Sequence, residues 1–223
     1  MKYVSILFLC LLLQTQAFAQ QDTTALKLAA PIADHMVLQH GKQTSVWGTA
    51  KPESRVAVAI GEQTVESAVD GKGHWSVTLE PLQVSSEPTT MKVTSSEGDS
   101  LTVKDILVGE VWMCSGQSNM AWTLRQAKDP MADNADMSMV RLFKTGSQTA
   151  ATIQSDCKGV WKIARSQAAA DFSAVGFHFG RELHEELKVP IGLIDTSWGG
   201  KPVEAFTSRE KLLTVENLSL IHI

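Results

Sequence analysis

Ser118 is the residue of this chain whose setting most suits a nucleophile. It lies in Cys114-Ser115-Gly116-Gln117-Ser118-Asn119-Met120, behind an apolar segment and a glycine turn. From Asp105 to Cys114, the residues Ile106, Leu107, Val108, Val111, Trp112 and Met113 form a nearly unbroken apolar run. Such a run predicts a strand buried on both faces of a covered sheet. Gly116 permits a sharp turn, and Ser118 and Asn119 are good N-cap residues ahead of Met120, Trp122 and Leu124, so a helix is expected to begin there. A hydroxyl between a strand's carboxyl end and a helix's amino end meets unpaired N–H groups that favour developing negative charge, as acyl transfer requires. The competing reading is that Ser118 merely caps the helix, which serines do far more often than they catalyse. The Gly-x-Ser-x-Gly elbow does not decide between them, because Met120 occupies its fifth position.

The elements around the serine change character along the chain. Residues 26–103 carry short alternating segments, among them Val56-Ala57-Val58-Ala59-Ile60, Trp75-Ser76-Val77-Thr78-Leu79 and Met91-Lys92-Val93-Thr94, separated by turns such as Asp70-Gly71-Lys72-Gly73. This pattern predicts a small all-β sandwich. Trp47 and Trp75 sit in alternating strands, where a large aromatic more often fills the core than stacks on a sugar. His35 and His40 flank Met36-Val37-Leu38 without a second ligand pair at metal spacing, so they are read as loop histidines and no metal site is assigned.

From Asp105 onward, strand-like and helical runs alternate, which predicts a parallel sheet with crossover helices over residues 105–223. Val140-Arg141-Leu142-Phe143 and Val189 to Asp195 read as strands. Phe172 to Leu187 reads as a helix whose stripe of Phe172, Val175, Phe179, Leu183 and Leu187 faces the core. His178 and His184 fall on that helix as packing or surface residues. After the second strand, Thr196-Ser197-Trp198-Gly199-Gly200 forms a loop in which paired glycines let the backbone approach a ligand.

Four segments, in this order, resemble the sialate O-acetylesterase family, a branch of the SGNH hydrolases. They are Asp34-His35-Met36-Val37-Leu38-Gln39 with Val46-Trp47-Gly48; Gly109-Glu110-Val111-Trp112 with Cys114 to Met120; Phe172 to Leu183; and Val189 to Gly200. The resemblance runs from about Leu26 to Leu213. It implies an SGNH-like, flavodoxin-like three-layer α/β domain behind the small all-β domain. It also implies that Ser118 attacks an acetyl ester, that the N–H groups of Ser118 and of Gly199 or Gly200 form the oxyanion hole, and that Gln117 and Asn119 support the serine. Lys201 stands where the family usually has Thr after the glycines.

The family's base is a His preceded three residues earlier by Asp, near the carboxyl end of a much longer chain. No Asp-x-x-His occurs in residues 105–223, and His222 follows Ser219 at that spacing. The hydrolase domain is therefore expected to be incomplete here and inactive alone, its catalytic Asp and His lying outside this chain. The substrate expected is an O-acetylated sialic acid; acetylated xylan or another glycan would use the same chemistry, and an inert glycan-binding protein is the alternative from another class.

The rest of the composition narrows the setting. Lys2, the apolar run Val4 to Leu13 and Ala17-Phe18-Ala19 read as a secretory signal peptide over residues 1–19, too short to span a bilayer, so a secreted or periplasmic protein is expected. With 24 acidic against 20 basic residues, there is no basic surplus to attract nucleic acid or a membrane surface. No phosphate loop or dinucleotide fingerprint appears, so no cofactor is implied. Cys114 and Cys157 are too few for a disulfide framework, and Cys114 is read as a packed thiol.

Overall fold

The computed structural model describes residues 25–150 and 152–214. The signal-peptide segment and His222 lie outside the described residues. In chain order the elements are β1 (Lys27–Leu28), β2 (Val37–Gln39), β3 (Thr44–Thr49), β4 (Arg55–Ile60), β5 (Gln63–Ala68), β6 (His74–Leu79), β7 (Ser85–Ser95), β8 (Ser100–Cys114), α1 (Ser118–Ala121), α2 (Met131–Asn134), β9 (Asp136–Lys144), β10 (Trp161–Arg165), α3 (Ser166–Ala170), α4 (Ala174–Leu187), β11 (Ile191–Asp195) and α5 (Arg209–Leu212). The fold is mixed α/β. A three-stranded sheet runs β1-β3-β6, and an eight-stranded sheet runs β10-β9-β11-β8-β7-β4-β5 with β2 also paired to β8.

The long strand β8 organises both halves. Its first part is antiparallel to β7, with Met91 opposite Val103; its middle is parallel to β2, with Val37 opposite Leu107. Its last five residues are parallel to β11, from Glu110 opposite Ile191 to Cys114 opposite Asp195. Asp105, at φ 54°, sits in the left-handed region at the irregularity where the register with β7 shifts between Val103 and Ile106.

The sheet expected to be parallel is mixed. β11 is parallel to both β8 and β9, but β10 is antiparallel to β9. A loop rather than a crossover helix joins β9 to β10, and a chain that returns without a crossover must return antiparallel.

Two apolar cores form. One lies between the three-stranded sheet and the β4, β7 and β8 portion of the large sheet, gathering Val46, Trp75, Val77, Val58, Val93 and Ile106, and it reaches Phe143 and Trp161 in β9 and β10. The other gathers Cys114, Leu142, Phe172, Phe177, Ile191 and Leu193 under α4. Trp75 is buried in the first core, whereas Trp47 packs at its margin and donates its indole N–H to the Ser155 carbonyl at 2.7 Å.

Two burial expectations need correction. The apolar run of β8 is fully buried only from Ile106 to Gly109; Val111 is half-buried and Trp112 and Met113 are exposed before Cys114 is buried again, and beyond Gly109 the described residues pair with β8 on one side alone. Of the expected stripe, Phe172 is buried and Leu183 packs against the core, but Val175, Phe179 and Leu187 are exposed, and the buried residues of α4 are Gly176, Phe177 and Gly180. The glycines decide the helix's rotation by letting it press on the sheet: a Cβ on Gly180 would lie 2.5 Å from Leu193 Cδ1, and one on Gly176 would lie 3.0 Å from Cys114 Sγ.

Candidate active site

The carboxyl ends of β8 and β11 deliver two loops that are sewn together. Thr196 N–H donates to the Cys114 carbonyl at 2.9 Å, and Trp198 N–H donates to the Gly116 carbonyl at 2.9 Å. Gly116 turns the chain at φ 141°, a conformation L side chains rarely adopt. Ser118 and Gly199 are consequently neighbours: a Cβ placed on Gly199 would lie 3.9 Å from Ser118 Cα. Gly200, at φ 73°, borders open space.

Ser118 is exposed, and its hydroxyl makes no hydrogen bond among the described residues. The capping reading fails on this point, because the N-cap of α1 is Gln117 and no side chain caps it. The helix is also shorter than expected, at 4 residues. One turn carries little macrodipole, so any oxyanion here would be held by individual N–H groups. The N–H groups of Ser118, Gly199 and Gly200 donate to no described residue, which leaves them free to do so. Gln117 and Asn119 are exposed beside the serine and make no side-chain hydrogen bond among the described residues.

Beneath the glycine loop lies Asp195, only 1% exposed. Its Oδ1 accepts the Ser197 N–H at 2.9 Å and the Ser197 hydroxyl at 2.5 Å, a turn that shapes the approach to Gly199. Its Oδ2 has no hydrogen-bond partner and lies 4.0 Å from Lys144 Nζ. Sequence reasoning treated Asp195 only as a strand end; the available signal was an acid closing an apolar run. Opposite it, Cys114 is a free, buried thiol, pushed up to about 11 first by burial and then by the Asp195 charge. Cys157 is also free.

No described histidine reaches the serine. His178 Nε2 is paired with Asp129 Oδ2 at 2.8 Å, and His184 Nδ1 donates to the Val189 carbonyl at 2.8 Å. His35 and His40 are not idle loop residues: His35 Nδ1 meets Asp105 Oδ2 at 2.5 Å, and His40 Nε2 meets Glu110 Oε1 at 2.7 Å. Both pairs bracket the β2 contact with β8, and their partners lie 70 residues away, beyond the reach of local pattern reading. Among the described residues, no group of His, Cys, Asp and Glu could hold a metal ion.

The chain is 34% identical over 206 residues to the sialate O-acetylesterase of Rattus norvegicus, and 34% identical over 210 residues to that of Homo sapiens. It is a homologue of the sialate O-acetylesterases. These matches cover 83% of this chain and 38% and 39% of the relatives, so the chain spans about two-fifths of their length. No protein-family model matches it. A crystal structure described as a novel carbohydrate acetylesterase from Xanthomonas citri superposes with a TM-score of 0.77 at 34% identity, covering 83% of this chain and 43% of that one. Ser118 and Gly199 thus meet in a chain homologous to acetylesterases in both sequence and fold.

Proposed function

We propose that this chain carries the nucleophile of a serine esterase that removes O-acetyl groups from sialic acids or related glycans. The observation that carries the reading is the apposition of an unbonded, exposed Ser118 hydroxyl and the Gly199 backbone, with unpaired N–H groups on both sides. Ser118 Oγ attacks the acetyl carbonyl, the carbonyl oxygen becomes an oxyanion held by the N–H groups of Ser118 and of Gly199 or Gly200, and the sugar hydroxyl leaves. Water then attacks the acetyl-serine and releases acetate.

A base must take the serine proton, and no described side chain is placed to do so. In this reading an Asp and a His outside residues 105–223 complete the triad, and the domain is an SGNH-like three-layer fold preceded by a small all-β domain over residues 26–103. The protein is exported after cleavage behind Ala19, and its partner is an acetylated sugar rather than nucleic acid or a membrane.

Acetate release from O-acetylated sialic acid by the full-length protein tests the assignment. Ser118→Ala should lower turnover on the order of 10⁴-fold or more, as loss of a serine nucleophile does elsewhere. Wild-type turnover in that variant would overturn the assignment.

A further inference from the structure

The N–H groups of the loop after β11 divide into two sets. Thr196 N–H donates to the Cys114 carbonyl, Ser197 N–H to Asp195 Oδ1 and Trp198 N–H to the Gly116 carbonyl, each at 2.9 Å. The N–H groups of Gly199 and Gly200 donate to no described residue. Three anchored groups thus run directly into the two that the esterase reading gives to the oxyanion hole. Two of the three acceptors are main-chain carbonyls at the head of the serine's own loop, and the third is the Asp195 side chain. We propose that Asp195 is a positioning residue of the oxyanion hole, holding through Ser197 the turn that fixes where the Gly199 and Gly200 N–H groups point. The proposal rests on the esterase reading and adds a residue to it.

Asp195 is itself firmly held. It ends β11 with Cys114 of β8 on one side and Lys144 of β9 on the other, and it is 1% exposed. Its carbonyl accepts the Thr145 N–H at 2.9 Å and the Thr145 hydroxyl at 3.1 Å. Its Oδ1 accepts the Ser197 hydroxyl at 2.5 Å as well as the Ser197 N–H. The turn before the glycines therefore hangs from the sheet and not from the surface. Gly199 and Gly200 carry no side chain that could hold them, and Gly200 lies at φ 73°, so their orientation is inherited from the residues before them.

The unsatisfied half of the carboxylate points the same way. Oδ2 is buried without a hydrogen-bond partner, and Lys144 Nζ at 4.0 Å is the ion-pair contact it makes among the described residues. A buried charge so thinly compensated costs stability, and local rules are broken in this manner where function constrains a residue. Electrostatics gives the carboxylate no advantage here, because a negative group beneath the hole opposes an oxyanion. Its value is the acceptor at Oδ1.

Acetate release by the full-length protein, with kcat and KM resolved and a thermal melt on each variant, tests the proposal. Asp195→Ala should lower kcat about 10²-fold with KM little changed, because a donor displaced by about 1 Å fails an oxyanion that exists only in the transition state. Asp195→Asn keeps an acceptor for Ser197 without the charge and should recover most of that loss. Ser197→Ala, at a half-buried residue, removes only the hydroxyl bond; it should lower kcat in the same direction with a Tm near wild type, and Ser197→Thr should restore it. That pair decides the matter if Asp195→Ala does not fold. Wild-type kcat in Asp195→Ala or Ser197→Ala, a loss in Asp195→Asn as deep as in Asp195→Ala, or a loss carried by KM would overturn the proposal. Wild-type turnover in Ser118→Ala would sink the nucleophile assignment, whereas an inactive Ser118→Ala beside a fully active Asp195→Ala would sink the positioning role alone.

Discussion

Replacing Asp105 with Asn should remove most of what fixes β8 at its kink. Arg141, with a side chain 4% exposed, donates from Nη1 to Asp105 Oδ2 at 2.5 Å and from Nη2 to Oδ1 at 3.1 Å, while His35 occupies the same Oδ2. The Arg141 guanidinium holds the Asp105 carboxyl below the usual carboxylate range, against burial and with help from His35. Asn tolerates the left-handed backbone at this position, so Asp105→Asn isolates the loss of charge from backbone strain. Stranding a buried guanidinium costs about 3–5 kcal/mol, and because the Asp105 side chain is 26% exposed and Asn still accepts one bond, the cost here falls at or below the bottom of that range, about 2–3 kcal/mol. For a protein of this size the loss corresponds to a Tm lower by about 4–12 °C. Paired thermal melts at pH 7 and at descending pH provide the assay. A carboxyl held low in the native state contributes fully above its unfolded value near 3.9, and the contribution fades as pH falls through the lower native value. The gap between wild type and variant should therefore be widest at neutral pH and close below about pH 4. A Tm unchanged at pH 7, or a gap that persists undiminished into acid, would refute the reasoning.

Two further outcomes are expected. Gly109→Ala should destabilise the protein by about 3 kcal/mol or more in urea titration, because the added Cβ would fall 2.0 Å from the Pro190 carbonyl oxygen, a backbone atom that cannot swing aside. Cys114 should resist iodoacetamide at pH 8 in the native state and react after unfolding, since its thiol is buried and pushed up to about 11; peptide mapping that finds it alkylated as fast as a free thiol would contradict this.

The turn that carries Ser118 and the glycine loop beside it were legible in the linear chain because both are local. Gly116 must turn, Ser118 must follow, and Gly199-Gly200 must end a strand, whatever the rest of the fold does. Strand existence was legible for the same reason, in the alternation that became β4, β6 and β7. Burial was less so. The apolar stripe Val175, Phe179 and Leu187 pointed to the wrong face of α4, because hydrophobicity scores a glycine as neutral while close packing selects it.

What only the tertiary structure decided is how distant residues meet. Ser118 and Gly199 lie 81 positions apart and become neighbours through the parallel pairing of β8 with β11 and the Trp198 bond to Gly116. The His35, Asp105 and Arg141 cluster and the His178 pair with Asp129 have no local signature. Sequence determines which groups are present and what each short segment prefers. Their distances depend on strand order and register, which are settled by cooperative burial across the whole chain.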